Sequence, residues 1–203
     1  MSIHWSAPIG FLLFFSFQFR PVGWLLLAAI ILIHEAGHAL LVRRFRLVVY
    51  SIVLTGTGGE CTWAGHSTPT QRAIIAWGGV LAQVPLLLIG LALGAVLPPK
   101  APTLAIEAAT TLVSVNVMLI AFNLLPIPPL DGSHVMKYLL PRPLAIRYVQ
   151  FGRYGMLVLV MLLVFPAGDV VLRTWLKPAN IATDVLLNNV AAFAVPSSEQ
   201  WLR

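Results

Sequence analysis

Long apolar stretches constrain the fold of this chain more than any other feature. Residues 22–42 would form a helix about 31 Å long at about 1.5 Å per residue, which matches the hydrocarbon core of a bilayer. Backbone polar groups in lipid must be satisfied within the segment, so a spanning segment of this kind is helical. The sequence therefore predicts an all-α integral membrane protein with about five transmembrane helices. The predicted spans cover residues 7–19, 22–42, 72–97, 103–125 and 154–172.

Composition agrees with a membrane protein and excludes other classes. Charged residues are 10% of the chain and hydrophobic residues 59%, whereas soluble domains contain about 25% charged residues. The net charge of +6 is therefore better explained by membrane topology than by nucleic acid, so the expected partner is the lipid bilayer. One cysteine, Cys61, excludes an internal disulfide framework.

The segment between the second and third spans has a different pattern. Residues 47–54 are rich in Val, Ile, Leu and Tyr, and Gly58-Gly59 follows shortly afterwards. This pattern favours a short membrane-associated β-hairpin region. Non-helical backbone at membrane depth is tolerated beside protein or a water-filled cavity, so the hairpin implies a cavity nearby.

Positive charges predict the orientation. Eight of the 13 Lys and Arg residues lie around the loops after spans two and four, which share one side of a five-span protein. By the positive-inside tendency this side is cytoplasmic, as expected for a multi-pass protein of the cytoplasmic membrane. The tail at residues 173–203 is mixed in character, and its role stays open.

The residues His34-Glu35-Ala36-Gly37-His38 carry the strongest chemical signal. Two imidazoles four positions apart lie on one helical face and can bind one Zn²⁺, with Glu35 placed to accept a proton from metal-bound water. His34 is eight residues from Val42, so the metal is expected about 12 Å inside the cytoplasmic end of this span. Ionisable groups within a bilayer are costly, so a hydrogen-bonded core cluster is the weaker alternative.

A catalytic zinc ion usually has three protein ligands and one open position. Asp131 is the best candidate for the third ligand, because it follows prolines that break the fourth span and is followed by Gly132. A solvated loop aspartate is the alternative. His134 is a weaker candidate for an additional ligand and is more simply a residue near the site.

The two motifs together resemble the site-2 protease family, the zinc metalloproteases that cleave substrates within the bilayer. The resemblance covers approximately residues 1–140 and extends to the compact bacterial sporulation-type branch. It implies His34, His38 and Asp131 as ligands of one Zn²⁺ per chain, with Glu35 as the catalytic base. It also implies that Asn123 lies at the substrate-binding site. The family's third-span motif usually reads Gly-Pro, whereas this chain has Gly78-Gly79.

The resemblance implies an intramembrane endopeptidase whose partner is a single-span membrane protein substrate. The glycine-rich hairpin offers a strand edge that an extended peptide could pair with. Residues 1–172 are expected to form the catalytic core, without a PDZ-like or cystathionine-β-synthase-like domain. A regulatory membrane partner is possible and is not identified by the sequence.

Two alternatives differ in class. A non-proteolytic zinc-binding protein, a transporter or regulator, predicts either polar residues along several spans or loss of Glu35 or a ligand. The chain instead has one compact cluster with every member present. A zinc enzyme acting on lipids has no distinguishing feature in the sequence. The endopeptidase is therefore the favoured hypothesis.

Overall fold

The computed structural model describes residues 2–9, 21–56, 58–98 and 101–188. These residues form seven long or medium α-helices and a small sheet. The helices are α1 (Pro21–Arg44), α2 (Pro69–Val96), α3 (Thr103–Asn123), α4 (Asp131–Leu139), α5 (Arg142–Phe151), α6 (Gly155–Val164) and α7 (Pro166–Asn188). A 3₁₀ turn, Gly152–Tyr154, joins α5 to α6.

Four helical segments among the described residues are long and apolar enough to cross a membrane. They are α1, α2, α3 and the segment Arg142–Val164. The first three lie within a few residues of the predicted second, third and fourth spans. Of the predicted first span, residues 7–9 are helical, and the remainder lies outside the described residues. The membrane class is confirmed.

The structure differs from the predicted fifth span at residues 154–172. The apolar segment begins earlier, at Arg142, and ends at Val164. Phe165 has extended backbone angles (φ −92°, ψ 142°) because the next residue is Pro166, which disfavours a helical residue before it. A new helix, α7, then runs to Asn188 and includes much of the region predicted as a tail; residues 189–203 lie outside the described part of the chain.

The predicted hairpin is present between α1 and α2. Its strands are β2 (Val48–Thr55) and β3 (Gly58–Ala64), paired antiparallel. A short N-terminal strand, β1 (Ser2–Ile3), pairs in parallel with β2, which the sequence did not predict. The strand order is β1-β2-β3, so β3 is a terminal strand, and it packs against α1.

Helix α1 lies at the centre of the fold. Half of its most apolar window is buried, compared with 28% for α2 and for α3. Helices α1 and α2 cross with their backbones in contact. A Cβ added at Gly78 would lie only 2.6 Å from the carbonyl oxygen of Gly37. Small residues at a crossing allow this close approach. The Gly78-Gly79 pair therefore permits the contact that brings α2 beside the histidines.

Candidate metal centre

The two histidines project from α1 one helical turn apart. His34 and His38 are both buried, and their Nε2 atoms lie 3.1 Å apart. Their rings are nearly perpendicular, with centroids 4.7 Å apart. The helical spacing therefore brings two imidazole nitrogens to one point, as the sequence predicted.

Asp131 reaches the same point from a distant part of the chain. The proline-rich segment after Asn123 ends α3, and α4 begins at Asp131 itself. The Oδ2 atom of Asp131 lies 3.0 Å from Nε2 of His34 and 3.2 Å from Nε2 of His38. The hydroxyl of Tyr148 donates to the carbonyl of Pro126 at 2.8 Å, which holds the loop that carries Asp131.

The three donor atoms have the spacing that a tetrahedral zinc site requires. Their mutual distances are 3.0, 3.1 and 3.2 Å. Ligands about 2.0–2.1 Å from one tetrahedral ion lie about 3.3 Å from each other, so the observed triangle is only slightly tighter. Two imidazoles and one carboxylate are also the ligand types that zinc prefers. The residues present therefore fit a zinc ion.

Both imidazoles are oriented by contacts with α2. Nδ1 of His38 lies 2.7 Å from the carbonyl oxygen of Ile75, and Nδ1 of His34 lies 3.1 Å from Oε1 of Gln83. Both acceptors favour a proton on Nδ1, so in the neutral imidazoles both Nε2 lone pairs face the triangle. Sequence reasoning missed Gln83, although a polar residue inside an apolar span was an available signal.

Glu35 lies beside the triangle, covered by strand β3. The ligand atoms of Glu35, His34 and His38 all lie within 4.8 Å of one another. The backbone N–H of Cys61 donates to the Glu35 carboxylate, and a Cβ at Gly59 would lie 2.5 Å from Glu35 Oε1. The carboxylate is therefore close to the metal position and fixed by the strand.

The charge state of Asp131 suits metal binding. Burial raises the pKa of its carboxyl, but hydrogen bonds from His34 and His38 outweigh burial and hold the pKa at about 2 when their Nε2 atoms carry protons. A metal ion at the same point would replace those protons and favour the carboxylate in the same direction. The carboxylate is therefore ionised at neutral pH, where it can serve as a ligand. On the hairpin, burial and the nearby charge of Glu35 raise the pKa of the Cys61 thiol to about 11.

The remaining candidates lie around this centre. His134 is half-buried and lines a small cleft with Arg72 and Lys137. Burial and the charge of Lys137 lower the pKa of His134, so its imidazole is neutral at neutral pH. Asn123 is the last residue of α3 and is partly buried, eight residues before Asp131. Its contact with a substrate stays a prediction.

Sequence comparisons point to peptidases. The model of "Peptidase family M50" matches residues 99–163. A protein of Mycobacterium tuberculosis named as a zinc metalloprotease, Rip3, is 34% identical over 164 residues, covering 76% of this chain and 42% of its own length. The similarly named YwhC of Bacillus subtilis is 36% identical over 84 residues, covering 41% of this chain and 37% of its own length. The chain thus spans less than half the length of either curated relative.

A solved structure supports the fold. The site-2 protease from Methanocaldococcus jannaschii matches with a TM-score of 0.52 and 18% sequence identity, covering 98% of this chain and 92% of that one. At this identity the match shows a shared fold.

Proposed function

Because this chain belongs to peptidase family M50, the site-2 proteases, we propose that it is a zinc endopeptidase that cleaves transmembrane segments within the bilayer. The observation that carries the proposal is the triangle of His34, His38 and Asp131, with Glu35 beside it. The two histidines of the triangle lie on α1, a helix apolar enough to span a membrane. We propose one zinc ion per chain, because the described residues contain one such group of ligands.

A zinc ion held by these three ligands would supply a Lewis acid that polarises the scissile carbonyl and lowers the pKa of bound water. Glu35 would act as the general base, accepting a proton from the attacking water and returning it to the leaving amine. The Cys61 N–H and the Gly59 backbone keep the Glu35 carboxylate in place. The contacts with α2 hold His34 and His38 in place, and the proline-rich loop between Asn123 and Asp131 holds Asp131.

Substrate binding is proposed at the free side of β3. A transmembrane helix hides its carbonyls in its own hydrogen bonds, so the scissile segment must first be extended. An extended peptide could add to β3 by strand pairing, and support comes from the terminal position of β3 beside Glu35. Asn123 is the proposed second substrate contact, since it ends the helix that leads into the Asp131 loop.

The proposed location is the cytoplasmic membrane, with the metal nearer the cytoplasmic face. Support comes from Arg43 and Arg44 at the end of α1, which mark the positively charged side. His34 lies two to three helical turns from this end. The proposed substrates are single-span membrane proteins.

The test uses the full chain purified in detergent, with zinc content and cleavage of single-span peptides measured together. We expect about one zinc per chain in wild type and in Glu35→Gln, with cleavage reduced at least about 100-fold in the variant. Glu107→Gln is the matched control, because Glu107 lies in another membrane-spanning helix, α3. This control variant should retain both its bound zinc and the wild-type rate of cleavage.

Two results would contradict the proposal. Bound zinc without cleavage of any peptide by wild type would favour a non-proteolytic zinc-binding protein. Equal cleavage by wild type and Glu35→Gln would remove Glu35 from the reaction.

A further inference from the structure

One face of α2 supports both metal-binding histidines. Ile75, Gly79 and Gln83 are spaced four residues apart, so they lie along one side of the helix. The Ile75 carbonyl accepts from His38, the Gln83 side chain accepts from His34, and the His34 ring lies against Gly79 where a side chain would otherwise stand. The helix therefore determines the orientation of both rings.

The two histidines differ in what accepts their Nδ1 proton. His38 donates to a backbone carbonyl, which any residue at position 75 would supply. His34 donates to the side chain of Gln83, so this contact depends on the residue type. Gln83 is the one side chain among the described residues that orients a histidine of the triangle through its Nδ1 atom.

Burying the Gln83 amide is costly unless its hydrogen bond with His34 has a role. Its side chain is 0% exposed within an apolar helix, and its Nε2 atom has no hydrogen-bond partner among the described residues. A leucine would fill similar space without burying an unsatisfied amide group. Within the described part of the chain, the contact with His34 is the one hydrogen bond of this side chain.

The contact has a direct consequence for metal binding. A neutral imidazole carries one proton, on either Nδ1 or Nε2. If the proton sits on Nε2 of His34, it points at Asp131 Oδ2, 3.0 Å away, and that nitrogen cannot bind a metal. With Gln83 as acceptor, the proton sits on Nδ1 and the Nε2 lone pair is free.

We propose that Gln83 is a positioning residue that selects the metal-binding tautomer of His34 and thereby sets the zinc affinity of the site. The proposal rests on the zinc centre of the proposed function and is independent of which substrate is cleaved. Acceptors of this kind commonly change metal affinity about 10–100-fold when removed.

The experiment measures the zinc dissociation constant of the full chain in detergent by competition with a chelator. We expect Gln83→Leu to weaken zinc binding about 10–100-fold, because the Nδ1 proton loses its acceptor. Gln83→Glu keeps an acceptor oxygen in the same place and should bind zinc at least as tightly as wild type. Rescue by glutamate separates an acceptor role from simple packing.

Asn116→Leu is the matched control. Asn116 is an equally buried amide on the neighbouring helix α3, and its side chain donates to Leu112 of its own helix. Removing it disturbs the same bundle without touching His34. We expect its zinc dissociation constant to remain within about threefold of wild type, well below the effect of losing an outer hydrogen bond to a ligand.

A zinc dissociation constant of Gln83→Leu within threefold of wild type would overturn the proposal. A loss of zinc affinity in Asn116→Leu as large as that in Gln83→Leu would also overturn it. If Gln83→Leu fails to fold, Gln83→Met and Gln83→Glu decide, because methionine preserves length without an acceptor. Equal zinc affinity of these two variants would overturn it. Failure of the endopeptidase proposal would appear as absent cleavage and would leave this order of zinc affinities unchanged.

Discussion

A single methyl group added at Gly79 tests how closely the metal centre is constrained by α2. In Gly79→Ala, the new Cβ would lie 2.5 Å from Nε2 and 2.6 Å from Nδ1 of His34. Ordinary van der Waals contact begins at about 3.4 Å. The Cε1 atom of His34 would be closer still, so the imidazole or the helix must move by at least about 0.9 Å, the difference between 3.4 and 2.5 Å.

This displacement exceeds what a zinc ligand tolerates. Metal–ligand distances hold within about 0.2 Å, so a shift of about 0.9 Å removes His34 as an effective ligand. We expect zinc affinity to fall at least about 100-fold, which corresponds to about 2.7 kcal/mol. Alanine is otherwise favoured over glycine in a helix, so helix propensity cannot account for the loss.

The assay is chelator competition on the full chain, with thermal melting measured in parallel. Gly90→Ala is the control, because Gly90 lies on the same helix as Gly79 but outside the described contacts of the site. Its Cβ would lie 2.8 Å from Leu112 Cβ of α3. We expect Gly90→Ala to lose about 1–3 kcal/mol of stability through overpacking and to keep its zinc affinity. Wild-type zinc affinity in Gly79→Ala would refute the reasoning, since the ring would then have room to spare.

Three further outcomes are expected. Gly59→Ala should leave zinc bound but slow cleavage about 100-fold, because its Cβ would displace the Glu35 carboxylate; unchanged cleavage would contradict the assigned contact. At pH 8 the alkylation rate of Cys61 should be about 100-fold lower than that of a thiol of pKa 9.0, since only the thiolate reacts. This rate should increase about tenfold per pH unit towards pH 11, and a plateau near pH 9 would count against the raised pKa. Removing zinc with a chelator should lower the melting temperature of wild type, whereas the melting temperature of His38→Ala should change little on adding the chelator.

The two-histidine arrangement was predictable because it is local. Spacing of four residues on a helix places His34 and His38 on one face whatever the rest of the chain does, and the structure gives an Nε2–Nε2 distance of 3.1 Å. The membrane class was equally accessible, since it depends on apolar length and few charges. The hairpin followed from β-branched residues and glycines between two spans.

The fifth span shows where local reasoning failed. Apolar content favoured residues 154–172, but the helix before it begins at Arg142, and Pro166 divides the region. The segment 142–153 carries polar residues, so its inclusion in a long helical segment was not evident from hydropathy alone. Proline at a helix start is favourable, and Pro166 accordingly begins α7.

The sequence by itself determined the membrane environment, the two-histidine helix and the residue types able to bind zinc, because each depends on spacing within one segment. Only the tertiary structure decided which distant groups meet them. Asp131 is 97 residues from His34, and Gln83 is 49 residues away. Their approach depends on how the proline loop ends α3 and on the glycine contact between α1 and α2, because helix packing sets distances that no local pattern encodes.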